Sequence, residues 1–396
     1  MRLLLLAGAL APAALGAQMP VTRADVVAAA LARGPRVVLA RTDSAAARAD
    51  VRAARALPNP SVSATYTKSI PRYHAILDLP LDWPWLRGPR VAGAVALSAA
   101  ALDRYALERA LARFDAETTY TRALAAAAHA RLSRRNALDA DTLLRMATLR
   151  RDAGDASEMD VRLARINAGQ LENQAADDSL GGLAALLAVQ QVMGLPGDTG
   201  RLVLADTLAP PPPDGVAPVG VPLGIAVAEA NLRASEHALT LARASNVPSP
   251  SIQVGLESGD PTGAEPGSLP TVGISLPLPL FNQNGGAIGR AAAQRDRATA
   301  ELALARRESD AAIARAERDR TLADAKVARD VRLLAGADSV AAMFLAAYAE
   351  GAVSLPNVLE AQRNARDALG RYVDDLAAAH TAADAWRVVT AAEARP

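Results

Sequence analysis

Residues 91–151 and 287–350 contain no proline, are rich in alanine, and can each be written as one uninterrupted helix. About sixty residues at 1.5 Å apiece make a rod of roughly 90 Å, whereas an ordinary globular helix has about a dozen residues. A rod of that length has no single compact core to lean on and needs partners along its whole length. Its apolar positions are interleaved with charge, as in ELALARRESDAAIARAERDR over residues 301–320. Charges three or four apart suit the solvated faces of a coiled-coil-like bundle.

The two rods belong to an internal repeat. Leu57-Pro58-Asn59-Pro60-Ser61-Val62 returns as Val247-Pro248-Ser249-Pro250-Ser251-Ile252, and Leu79-Pro80-Leu81 returns as Leu276-Pro277-Leu278. Gly154-x-x-Ser157-x-x-Asp160-Val161 returns as Gly351-x-x-Ser354-x-x-Asn357-Val358. The matches keep their order at an offset of about 190 to 200 residues, the mark of a duplicated architecture. Each half reads as a helix, Pro punctuation, two short strands, a long helix, a glycine turn and a returning helix. The first helix opens on the capping-box pattern Thr22-x-x-Asp25, Gly34-Pro35 breaks it, and a second segment runs to about Arg55. The prolines at 210–213, followed by Asp214-Gly215, cannot lie inside a helix and form a linker. The expected organisation is a leader over 1–17, a first repeat over 18–200, a Pro-rich linker over 201–222 and a second repeat over 223–396.

The strand pairs carry the class. Residues 61–67 (SVSATYT) and 251–257 (SIQVGLE) alternate polar and apolar; their partners lie at 75–81 and 271–276. Period two gives one greasy and one wet face, and such segments fit a transmembrane β-barrel or a small soluble antiparallel sheet. In the barrel reading Val62, Tyr66, Ile252 and Val254 face lipid, and Trp83, Trp85 and Phe281 stand at strand ends where interfacial aromatics act as anchors. The loops over 68–74 and 257–263 are then external. Four strands cannot close a membrane barrel, and open edges are not tolerated in lipid. A chain of this kind must therefore oligomerise; the alternation alone does not select three copies over two.

Composition removes other classes. The chain is 51% hydrophobic but only 3% aromatic, and alanine supplies nearly half of the apolar count. A net charge of +1 gives no footprint for nucleic acid. With no cysteine there is no disulfide, thiolate metal site, cysteine nucleophile or lipidated cysteine. His74, His129, His237 and His380 are isolated, so no zinc spacing exists, and neither a P-loop, a G-x-S-x-G elbow nor a dinucleotide fingerprint occurs. No enzyme, cofactor or resident metal is expected. Arg2, the leucines at 3–6 and the small residues to Ala17 have the form of a secretory signal peptide cleaved after Gly16 or Ala17. No later stretch of about 18 uninterrupted apolar residues suggests a spanning helix.

This order of elements resembles the TolC family of outer-membrane efflux channels over residues 22–392. The segment Ser275-Leu276-Pro277-Leu278-Pro279-Leu280-Phe281, with the Asn-Gly turn and Ala-rich helix after it, is similar to the CzcC-like heavy-metal branch. The resemblance implies a mainly α fold with a small β part: tandem long helical hairpins forming a tunnel, and four strands per chain contributing to a trimeric transmembrane β-barrel. It implies a homotrimer in outer-membrane lipid that extends into the periplasm. Its partners would be a periplasmic adaptor (membrane fusion protein) and an inner-membrane RND pump. The channel itself does no chemistry.

The motifs at Gly154, Ser157, Gly351 and Ser354 look like the family's periplasmic tips, which contact the adaptor. Asp160, Asn357 and Glu360 follow the glycine turns, and Asn357 and Glu360, three apart, share a helix face. In a closed ring they are candidates for the pore constriction, with Glu360 favouring cations. Asn357 stands where TolC itself has an aspartate. The bland alternative pairs Glu360 with Arg363 on a solvated face. The competing function is a soluble periplasmic coiled-coil scaffold or adaptor, which would normally carry one hairpin rather than two in tandem.

Overall fold

The computed structural model describes residues 19–195, 202–212, 220–247, 249–259 and 267–392. The expected leader, the end of the proline run with Asp214-Gly215, Pro248 and the external turn around Gly263 lie outside the described residues. The element order is β1 (Met19–Val21), α1 (Arg23–Arg33), α2 (Pro35–Arg55), β2 (Ser61–Tyr66), β3 (Tyr73–Pro80), α3 (Pro84–Asp152) and α4 (Glu158–Val192). The second half follows with β4 (Leu202–Leu204), α5 (Leu223–Ala244), β5 (Ser251–Ser258), β6 (Ser268–Ser275), α6 (Gly285–Ala349) and α7 (Leu355–Val389). The long helices have 69 and 65 residues, and both returning helices have 35. The fold is thus mainly helical with a small β part.

Local chemistry explains most boundaries. The Thr22 side chain accepts from the Asp25 N–H, and Asp25 answers by accepting from the Thr22 N–H at 3.0 Å. The Thr22 hydroxyl also donates to the Asp25 carboxylate at 2.6 Å, and this bond first, then the one from the Thr22 N–H, holds that carboxyl below its ordinary range. α3 starts earlier than the expected residue 91. Pro84 occupies its first turn, and the Trp83 carbonyl accepts from Leu86 and Arg87 at 3.0 and 2.9 Å. Pro89 is carried inside the helix rather than ending it. α6 contains an 18-residue window of mean hydropathy 1.4, enough by length and composition alone to cross a membrane, which leaves the absence of an uninterrupted apolar stretch as it stood.

The described chain forms two compact units. One comprises Met1–Val37, Arg109–Ala217 and Ile313–Thr390; the other comprises Val38–Glu108, Pro218–Ala312 and Ala391–Pro396. Each takes segments from both repeats, so the repeats are units of sequence and the compact units are units of packing.

The second unit holds a four-stranded antiparallel sheet of order β2-β3-β5-β6. The first holds β1 and β4, a parallel pair of three-residue strands that sequence periodicity did not reveal. Tyr120 anchors that pair: fully buried, it donates its hydroxyl to the Val21 carbonyl at 2.8 Å. Burial pushes its pKa up to about 12. The core around it contains Val21, Val26, Ala116, Ala123, Val189 and Leu202.

The same unit buries a charge network. Asp384 is fully buried and pairs with Arg387, and it lies 3.8 Å from Arg23. Arg387 also reaches Glu117 at 3.7 Å, and Glu117 accepts from Arg113 at 3.0 Å. Burial first, and then the charge on Glu117, push the Asp384 carboxyl up to about 6. His380 donates its Nε2–H to the Ala209 carbonyl over 2.8 Å, and its pKa is shifted down, mainly by burial.

The sign of the resulting pH dependence follows. A carboxyl whose folded pKa lies above its unfolded value of 3.8 binds its proton more tightly when folded, so its contribution to stability grows as pH falls from above 6 towards 3.8. His380, shifted down, works in the opposite direction over an overlapping range, so a difference against a variant is needed. Lowering the pH from 7 to about 4.5 should raise the stability of the wild type relative to Asp384→Asn by about 2 kcal/mol. Denaturation midpoints of the two proteins across that range measure it; a constant difference would show that Asp384 titrates as an ordinary carboxyl.

Candidate functional site

The sheet sorts its side chains by chemistry. Val62 pairs with Leu77, Leu77 with Val254, and Val254 with Val272, a row of aliphatics across all four strands. The row beside it on the same face runs Leu79, Ile252, Ile274, and at the hairpin end Tyr66 sits opposite Tyr73 with ring centroids 5.4 Å apart. The intervening row, on the other face, is Ser61, Asp78, Gln253 and Gly273. There Ser251 donates to Asp78 at 2.7 Å, and His74 stands 3.4 Å from Glu257. Val62, Val272 and Ile274 are 74, 78 and 79% exposed, while the polar face makes its own hydrogen bonds. A sheet in water would orient these faces the other way. The four residues expected to face lipid, Val62, Tyr66, Ile252 and Val254, all lie on the aliphatic face. The outer strands β2 and β6 each have a partner on one side only.

In the other unit the two glycine turns have one geometry. Gly154 and Gly351 have φ of 85° and 78°, the left-handed region in which a side chain is strained. In both, the glycine N–H bonds three residues back and the next N–H five residues back: Gly154 to Arg151 and Asp155 to Arg150, then Gly351 to Tyr348 and Ala352 to Ala347. This is the Schellman arrangement that satisfies the last carbonyls of a helix.

After the turns the halves diverge. Ser157 and Asp160 form a reciprocal capping box: Asp160 N–H donates to Ser157 Oγ at 3.1 Å, and Ser157 N–H donates to Asp160 Oδ2 at 3.0 Å. Ser354 caps α7 by backbone position alone, with no side-chain hydrogen bond and Pro356 in the first turn, and Asn357 is exposed.

Glu360 is exposed and accepts from Asn364 at 3.5 Å. Arg363 turns instead to Asp367, 4.0 Å away, so the alternative Glu360–Arg363 pair is not formed. Of the candidate constriction residues, Asp160 is committed to a helix cap, whereas Asn357 and Glu360 remain on an open face of α7. The adaptor candidates Gly154, Ser157, Gly351 and Ser354 are all exposed.

Sequence reasoning missed the residues that join the two turns. Arg150 lies in the last turn of α3, and its guanidinium stacks over the Tyr348 ring at 4.7 Å and donates to the Tyr348 carbonyl. Its other amino group donates to Asp155 O at 3.3 Å. Leu143, Ala147, Val161, Tyr348, Leu355 and Val358 share one buried core beneath both turns. Burial raises the Tyr348 pKa. The only available signal was position: Arg150 and Tyr348 stand four and three residues before the glycines. Among the described residues no group of three or more His, Asp or Glu side chains could hold a metal ion.

Comparison with known proteins agrees with this geometry. Residues 223–391 match the family described as "Outer membrane efflux protein". No curated protein sequence matches the chain. Among solved structures, a membrane protein from Pseudomonas aeruginosa matches with TM-score 0.80 and 18% identity, covering 93% of each chain. The CusC channel matches with TM-score 0.79 and 17% identity over 94% of this chain and 92% of that one. The CmeC outer membrane channel of Campylobacter jejuni matches with TM-score 0.78 and 16% identity over 93% and 85%. The chain therefore has the fold of outer-membrane channels, and its second half carries an outer membrane efflux protein domain.

Proposed function

We propose that this chain is the outer-membrane channel subunit of a tripartite efflux system, a passive conduit that carries cargo from the periplasm to the exterior. The observation that carries this reading is the sheet with an exposed aliphatic face and an open strand at each side. Lipid accepts the first but not the second, since unpaired backbone groups in hydrocarbon each cost several kcal/mol. Joining β6 of one copy to β2 of the next removes the edges, and three copies pool twelve strands, an allowed barrel size. The homotrimer follows as the arrangement favoured by the family resemblance. So do the partnership with a periplasmic adaptor and an RND-type pump, and the location in the outer membrane with extension into the periplasm. A soluble scaffold leaves the aliphatic face without an occupant. Heavy-metal cations are the proposed cargo, on the similarity of residues 275–281 to the CzcC-like branch.

In this reading the α7 face bearing Asn357 and Glu360 lines the constriction, and the capped turn at Asp160, with Gly154, Ser157, Gly351 and Ser354, meets the adaptor. A ring of Glu360 carboxylates favours cations.

Two experiments test these assignments. Arg at Val254 should cost roughly 2–4 kcal/mol of membrane stability near the midplane, while Arg at Gln253, on the opposite face, should be mild. Urea titration of the folded protein in vesicles compares them, and equal costs would exclude the barrel. In planar bilayers Glu360→Gln should lower cation preference and Glu360→Lys should reverse it or block the channel. Unchanged conductance and selectivity in both would remove Glu360 from the constriction.

A further inference from the structure

All four connections between the sheet and the helices leave it at one end. Ser61 is paired with Asp78, Pro80 with Ser251 and Ser251 with Ser275, so the ends of α2 and α5 and the starts of α3 and α6 are gathered there. Two features of this junction exceed what the sheet and the helices use. The first is exposed apolar surface: Leu276, Leu278, Leu280 and Phe281 are 55, 66, 71 and 101% exposed. Nearby in the chain's other half, Trp85, also exposed, stacks on Trp83 with centroids 4.7 Å apart. The second is charge. Residues 52–60, 81–90, 243–250 and 276–290 contain Arg52, Arg55, Arg87, Arg90, Arg243 and Arg290 but a single carboxylate, Asp82.

That carboxylate is internal. Asp82 is 4% exposed and is held by Arg90 at 2.8 Å and Arg87 at 3.6 Å. The same two arginines donate to the carbonyls of Ala54 and Arg55, closing the end of α2. Arg52, Arg55, Arg87, Arg243 and Arg290 are exposed in this junction together with the apolar side chains, and Leu276 keeps the period-two phase of Val272 and Ile274 on the aliphatic face. Indole rings and arginine stems have this amphipathic form at a membrane–water boundary, and a cluster of arginines there attracts anionic headgroups.

We propose that this junction is an interfacial collar that binds anionic phospholipid, with Trp85 and the Leu276–Phe281 segment seated among the headgroups and upper acyl chains and the arginines on the lipid phosphates. It rests on the membrane reading above and goes beyond it in naming a lipid class and the residues that select it.

The test uses the full chain with Trp386→Phe, which leaves Trp83 and Trp85 as its only indoles, reconstituted in phosphatidylcholine vesicles. Lipids brominated near the headgroup should quench the fluorescence more than lipids brominated deep in the chain. Brominated phosphatidylglycerol should reach half-maximal quenching at a several-fold lower mole fraction than brominated phosphatidylcholine. Arg52→Gln with Arg55→Gln should reduce that preference by up to about fivefold per arginine, while Lys at both positions should retain it. Should the Gln variant fail to insert, the wild-type preference should still fall as salt is raised. Protein that is inserted, by its migration with vesicles and its heat-modifiable mobility, yet shows no quenching, or quenching indifferent to headgroup and salt, would overturn the collar alone. Failure to enter vesicles would overturn the collar and the membrane reading together.

Discussion

Unpaired backbone groups on β2 and β6 are the constraint on which the rest of the molecule depends. Every other part of the four-stranded sheet is satisfied within one chain: the ladders are complete from Ser61 to Ser275, and the polar face is cross-linked by Ser251–Asp78 and His74–Glu257. The remaining donors and acceptors point along the sheet, and the aliphatic face points away from it. One solvent cannot satisfy both features in a lone copy. Water would serve the edges and leave the aliphatic face costly, and lipid would do the reverse. Association through the edges is the one arrangement that answers both.

The helices meet a different constraint. They are too long for a compact core, and their buried positions are largely alanine, as at Ala116, Ala123, Ala147, Ala164, Ala230 and Ala379. Small side chains let backbones come close and keep helix propensity high, but each contributes little apolar area. Some of the large buried groups sit where the chain changes direction, Tyr120 against the β1–β4 pair and Tyr348 and Leu355 beneath the glycine turns, while Leu124, Leu302 and Leu376 are buried within the helices. The low aromatic content that argued against a large enzyme core is the same fact seen from inside the bundle.

Features governed by local chemistry were legible in the sequence. The Thr22 cap, the break at Gly34, the end of α2 at Arg55 and both glycine turns follow from side chains and dihedrals within a few residues of one another. So did the sheet's faces, because alternation and register carry the same information twice. The missed features depend on distant contacts. Three-residue strands are too short for a period, and β1 exists only because Leu202–Leu204 comes to meet it. Arg150 over Tyr348 and Asp384 beside Arg387 and Arg23 join residues whose spacing in sequence means nothing until the chain is folded. The start of α3, expected near residue 91, lies at Pro84, and Pro89 falls close enough to that start that few helical bonds are lost.

The duplicated halves share the glycine dihedral and the length of the returning helix but not their chemistry at the turns, and this difference bears on how each turn can open. α4 begins with a reciprocal cap that satisfies two backbone N–H groups, a device worth about 1 kcal/mol. α7 begins without a side-chain cap and with a proline, which removes a donor rather than satisfying one. Arg151 and Arg162 both bond Glu158 and hold its carboxyl below its ordinary range, so the first turn of α4 is tied again from its surface. Glu360 on α7 has only the long bond from Asn364. Local opening is drawn from the least-bonded elements, so the start of α7 unwinds or swings at lower cost than the start of α4. The Arg150–Tyr348 contact is the tie across the two turns, and it holds the turn preceding α7 from outside that helix. The second turn is thus held from outside α7 by Arg150 and by the core it shares with the first, Leu143, Val161, Leu355 and Val358, and the helix after it carries the exposed carboxylate of Glu360.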